Sequence, residues 1–303
     1  MRLDDYDPDI EVGDQRGQSF GGGGFSLGGG GGGLLFSLLP FVMGRFGCLG
    51  VAVLLGLMFF FGGGLPMLAG GGSGGLPSTR TETSAAKTAC QVDEASLEAC
   101  KAFSSANRTW RQLFQQAGAR YDPPSLQFYG GSGRSGCGAA QAAMGPFYCP
   151  TDEGIYLDTS FFNELAGRFG ASGDFARNYV IAHEFGHHIQ HLLGTSERVQ
   201  RQMQAAGERE GNALSVRLEL QADCYAGVWG AQNRARLDPG DVEEGLRAAQ
   251  AIGDDTLQRE AQGRVVPDSF THGTSAERMA WLKRGLQTGD PNQCDTFNGS
   301  IDR

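Results

Sequence analysis

Apolar residues recur at helical spacing along much of this chain, and glycine or proline punctuates the recurrences. Between 94 and 118, Leu97, Phe103, Trp110, Leu113 and Phe114 predict one helix face that ends at Gly118. Pro123-Pro124 breaks the pattern, and Ser125-Leu126-Gln127-Phe128-Tyr129 reads as a short strand. Residues 130–138 read as a loop. Residues 147–150, a turn around Asp152-Glu153-Gly154, and Ile155-Tyr156-Leu157-Asp158 predict a hairpin. A short helix over 161–169 precedes the loop 170–173. A third helix starts at Asp174, a plausible N-cap, and stops at Gly194. One long helical run is expected over 196–233, then helices to about 252, over 254–263, and over 275–286 with Met279, Trp281 and Leu282 on its apolar side. The pattern is mainly helical with a small sheet, an α+β class.

The first quarter of the chain is different. Residues 1–33 are acidic (Asp4, Asp5, Asp7, Asp9, Glu11, Asp14) and rich in glycine, a composition that predicts a disordered leader. Of 49 glycines, many crowd into 21–24, 28–33, 62–64 and 70–75. Residues 34–68 form an apolar block interrupted by Arg45, and its core, 46–68, has the ~20-residue length of a bilayer-spanning helix. A cleaved signal peptide would start with a short basic region, so the long acidic leader favours an uncleaved anchor. Residues 69–89 read as a flexible tether, 90–295 as the folded domain, and 296–303 as a tail.

Chemistry concentrates in Tyr179 to His191. Four of the 5 histidines lie there, and His183-Glu184-Phe185-Gly186-His187 has the H-E-x-x-H form. On a helix, residues four apart differ by about 40° around the axis, so both imidazoles can reach one cation. Glu184 then lies beside them, placed to take a proton from water. A third ligand is needed, and Glu219, with Asp223 one turn on, is the candidate. Asp223 is suited to accept the outer ring N–H of a ligand histidine. His188 and His191 are expected to make supporting or surface contacts.

Six cysteines lie outside the apolar block. Local spacing suggests Cys90 with Cys100 and Cys137 with Cys149, leaving Cys224 with Cys294, one of fifteen possible connectivities. Thiol ligation of zinc is the competing use, but no C-x-x-C spacing is present. Disulfides imply an oxidising compartment, and with it an outward-facing domain and a cytoplasmic leader. A net charge of −9 argues against nucleic acid as a partner.

With these residues in place, the chain resembles the zincin metallopeptidases whose third ligand is a glutamate on a second helix. More narrowly it resembles the neutral zinc metallopeptidase family of bacterial membrane-anchored proteins. The resemblance rests on Gly136-Cys137-Gly138, residues 145–150, 155–158, the histidine motif, 219–227 and Thr271-His272-Gly273-Thr274-Ser275. It implies a zincin-like domain behind one transmembrane helix, one zinc ion held by His183, His187 and Glu219, and a peptide or protein substrate. It further implies hydrolysis by metal-activated water with Glu184 as base. By the same resemblance, residues 155–158 are an expected substrate-binding edge strand, with a buried structural hairpin as the equal alternative. His272, the one histidine outside the cluster, is a candidate oxyanion stabiliser, with Tyr225 a weaker one. The alternative is a structural envelope protein that keeps the metal site without turnover.

Overall fold

The computed structural model describes residues 1–18, 82–167, 170–171 and 173–298. The predicted anchor at 34–68 lies outside the described residues, as does most of the predicted tether. Among the described residues no helix is long and apolar enough to cross a membrane.

A four-stranded sheet flanks a helical body. Strand β1 (Val12–Asp14) pairs in parallel with β2 (Ser125–Phe128), which pairs in parallel with β6 (Gly154–Leu157). Strand β5 (Phe147–Cys149) closes the order β1-β2-β6-β5 as an antiparallel edge. The predicted hairpin therefore exists, with its turn at Glu153, which adopts φ 52°. Residues 155–157 lie inside the sheet, however, so the outer strand on this side is β5, and the edge-strand expectation for 155–158 is corrected accordingly. The predicted loop at 130–138 instead contributes to a two-stranded ribbon, β3 (Ser132–Ser135) with β4 (Gly138–Gln141).

The leader departs most from expectation. Met1, Leu3, Ile10 and Val12 are buried in the main core, and β1 extends the sheet, so residues 1–18 are ordered. Arg16 lies 4.7 Å over the Phe128 ring and donates to Ser96 Oγ and the Ala89 carbonyl. Acidic composition misled because a few apolar side chains at alternating positions suffice when a sheet edge awaits them. From residue 82 the predicted tether is likewise structured, as helix α1 (Glu82–Cys90).

Helix α2 (Glu94–Gln116) is capped by Asp93, whose side chain accepts from the Ser96 N–H. After α3 (Ser160–Gly167) comes the histidine helix, α4 (Asp174–Leu192), with Gly173 rather than Asp174 at the N-cap. Asp174 sits in the first turn, where its charge suits the helix dipole. The long run expected over 196–233 is two helices, α5 (Thr195–Ala205) and α6 (Glu208–Gln232), parted where Gly207 turns extended. Helices α7 (Asp241–Ala251), α8 (Asp254–Gln262) and α9 (Ser275–Thr288) follow, the last held by a Thr274–Glu277 capping box.

Two glycines explain how the site-bearing helices approach. A Cβ at Gly186, inside the histidine motif, would fall 3.0 Å from the Ala222 backbone, so α4 and α6 meet almost backbone to backbone. A Cβ at Gly285 would overlap the Cys224 carbonyl oxygen, so α9 lies equally close on α6. Disulfides join Cys90 to Cys100, Cys137 to Cys149 and Cys224 to Cys294. The last ties α6 to the C-terminal segment, where Thr296 is buried and bonds Arg217.

Candidate metal centre

Helix α4 supplies His183, Glu184 and His187, and α6 supplies Glu219. The structure brings the two imidazoles and the Glu219 carboxylate together, one donor atom from each lying within 4.8 Å of the others. His183 Nε2 stands 3.1 Å from Glu219 Oε2, and His187 Nε2 stands 3.5 Å from Oε1. The four-residue spacing puts the two rings 4.8 Å apart, nearly perpendicular.

Each outer ring nitrogen has a partner. His183 Nδ1 is 2.8 Å from Asp223 Oδ1, the contact anticipated for Asp223. That oxygen also accepts from the Tyr179 hydroxyl at 2.6 Å, and Arg278 grips both carboxylate oxygens, Nε to Oδ2 at 2.8 Å and Nη2 to Oδ1 at 2.9 Å. His187 Nδ1 donates to Gln190 Oε1 at 3.0 Å, while the Gln190 amide nitrogen donates to the Leu218 carbonyl and to Gln221 Oε1. With both Nδ1 atoms engaged, both Nε2 atoms face the Glu219 carboxylate.

Electrostatics agree with a cation-ready site. Burial alone would lower the pKa of His183, but the Asp223 charge and hydrogen bond overcome it and push the group up to about 10. Burial would raise Glu219, yet the neighbouring His187 and His183 hold it well below the usual carboxylate range. Burial raises Glu184, opposed by the same two histidines. A proton thus occupies the position a divalent cation would displace, so metal uptake should release protons. Two imidazoles and one carboxylate, oriented from behind, are a donor set that suits zinc.

The centre opens onto a cleft of about 570 Å³, whose walls include Phe147 and Tyr148 of the edge strand, Glu184, His272 and Arg278. His272 lines the same cleft, its side chain 52% exposed. Its Nδ1 is 3.3 Å from Asp254 Oδ1, and Asp254 Oδ2 accepts the backbone N–H groups of Thr271, His272 and Gly273. Asp254 therefore clamps the loop and raises the pKa of His272 through that hydrogen bond. The other sequence candidates fall elsewhere. Tyr225 is buried edge-on against the Trp110 ring, which argues against a role at the cleft. His188 is buried between the Tyr148 hydroxyl and the Asp122 carbonyl, and His191 bonds Glu197. Tyr179, Gln190, Asp254 and Arg278 escaped the sequence reading. Tyr179, four residues before His183, and Gln190, three after His187, carried a spacing signal.

The sequence model of the family described as "Putative neutral zinc metallopeptidase" matches residues 1–297. The chain belongs to this family. That family implies zinc, and its match takes in the N-terminal strand. Among relatives, Uncharacterized protein YpfJ of Escherichia coli K12 is 47% identical over 287 residues, covering 94% of this chain and 93% of that protein. Uncharacterized protein Rv2575 of Mycobacterium tuberculosis is 42% identical over 210 residues, covering 65% and 69%. No solved structure matches.

Proposed function

We propose that the chain is a zinc-dependent endopeptidase. The observation that carries this reading is the convergence of His183, His187 and Glu219 on one point, with buried Glu184 facing the same open cleft. Zinc, when bound, supplies Lewis acidity that makes water nucleophilic near neutral pH and polarises a carbonyl.

The chain's own residues divide the remaining work. Strand β5, outermost in the sheet and lining the cleft, offers an edge along which an extended peptide can lie. Glu184, its pKa raised by burial, takes a proton from the attacking water as the C–O bond forms. It then delivers that proton to the amine as the C–N bond breaks. His272, steadied by Asp254 and lining the same cleft, donates to the oxyanion.

Digestion of a peptide library by the full chain, with and without chelator, tests the assignment. Glu184→Gln is expected to retain zinc and lose hydrolysis by at least about 10²-fold, the low end for general base catalysis. His272→Ala should lower kcat about 10²–10³-fold with zinc content unchanged. Cleavage by Glu184→Gln at the wild-type rate would sink the mechanism.

A further inference from the structure

Arg278 is the most connected charged group beside the centre that sequence spacing did not flag. It is 2% exposed, and its guanidinium reaches two other helices and the end of a third. From α9 it grips Asp223 on α6 with two parallel bonds, approaches the Tyr179 hydroxyl on α4 at 3.3 Å, and donates to the Ile252 carbonyl at the end of α7, also at 3.3 Å. Burying such an ion pair is a poor way to gain stability, since apolar residues of similar volume often serve as well. Its placement suggests another use. Asp223 Oδ1 receives Tyr179, Arg278 and His183, and Oδ2 receives Arg278. A carboxylate fixed in plane by a guanidinium fork cannot swing about its own bond, so Oδ1 stays aimed at His183 Nδ1.

We propose that Arg278 is a positioning residue that locks Asp223 and thereby holds the His183 ring with Nε2 turned to the metal position. This rests on reading the cluster as a metal centre and not on hydrolysis. Zinc affinity of the full chain is measured by competition with a chromophoric chelator, beside the visible spectrum of the cobalt-substituted protein and thermal melts of the stripped protein. Arg278→Lys keeps the charge and loses the fork. It should weaken zinc binding about 10-fold and alter the cobalt spectrum, and Arg278→Met should reach the ~100-fold end of the range for groups supporting a ligand. A purely structural arginine would lower both melting temperatures and leave affinity and spectrum at wild-type values, which overturns the proposal. If Arg278→Met fails to fold, Arg278→Lys alone decides. A wild-type chain that binds zinc without cleaving peptides would remove the proposed function and leave this inference standing.

Residues 1–18 carry an independent inference. Val12, Gly13 and Asp14 are in register with Leu126, Gln127 and Phe128, and Met1, Leu3 and Ile10 are buried in the same core as the histidine helix. No bilayer, with its ~30 Å of hydrocarbon, can pass between strands of one sheet. We infer that residues 1–18 and 82–298 lie on the same side of any membrane the chain meets, in place of a cytoplasmic leader and an external domain. Single cysteines replace exposed Asp5 and Arg259 in a Cys48→Ser background, and cells are treated with a membrane-impermeant maleimide before and after permeabilisation. Both positions should react at the same stage. Labelling of one before and the other only after permeabilisation overturns the inference.

Discussion

His183 and His187 face one point from a single helix, yet the protein backs them with different chemistry. Behind His183 stands a charged group, Asp223, neutralised in turn by Arg278. Behind His187 stands a neutral chain in which Gln190 accepts the ring N–H and passes to Gln221, whose amide donates to the Cys294 carbonyl. The first arm carries formal charge into the core and is sensitive to what balances it. The second arm uses dipoles and ends at the residue whose disulfide pins α6 to the C-terminal segment. Two ligands of the same type therefore differ in how their basicity is set: by a carboxylate in one, by an amide in the other.

Removing the charged arm should have the largest effect. Asp223→Ala leaves the Arg278 guanidinium buried without its counter-ion and frees the His183 ring. Truncating one partner of a buried pair costs about 3–5 kcal/mol, and zinc affinity should fall about 10–100-fold. Denaturant titration of the stripped protein and zinc competition measure the two parts. Wild-type stability in Asp223→Ala would show that Arg278 is balanced by some other group.

How much of this was readable from residues alone follows the same division. Helical period and four-residue spacing placed His183, His187, Glu219 and Asp223, because those relations are local to one turn. The three cysteine pairs were legible in part for the same reason: two are short loops and the third is the remainder. Arg278 and Asp254 were not legible, whereas Gln190, one turn past His187, carried the same local signal and was passed over. Arg278 reaches Asp223 across 55 residues, and its approach depends on glycines permitting two helices to touch. The N-terminal strand misread for a related reason. Its acidic surroundings describe its solvent face, whereas its burial depends on β2, more than a hundred residues away.

A third histidine on the same helix sharpens the contrast. His188 is fully buried, with a hydroxyl and a carbonyl as partners and no carboxylate, and burial lowers its pKa to about 4. Because the folded value lies below the unfolded 6.5, the unfolded chain binds more protons between the two. Stability from this group is complete above about 6.5 and drains away as pH falls toward 4, by roughly 3 kcal/mol in all. His183 has the opposite sign, its folded value lying above the unfolded one, so its contribution to the stripped protein persists at acid pH and fades as pH rises through about 10. Denaturant titrations at pH 7, 5 and 4 should therefore show a loss that His188→Gln reduces and zinc removal does not.

The neutral arm should give the smallest change. Gln190→Ala removes the acceptor of His187 Nδ1 and leaves the buried Gln221 Oε1 and the Leu218 carbonyl without that donor. An unsatisfied buried group costs about 1–3 kcal/mol, and zinc affinity should fall about 10-fold, the low end for such support. Gln190→Glu asks whether charge alone makes the arms equivalent. It supplies a carboxylate to His187 and no guanidinium to balance it, so the stripped protein should be less stable than wild type while the zinc-loaded protein recovers part of the loss. Equal zinc affinities in Gln190→Ala and Asp223→Ala would erase the distinction between the arms, because the charge behind His183 would then contribute nothing that an amide does not.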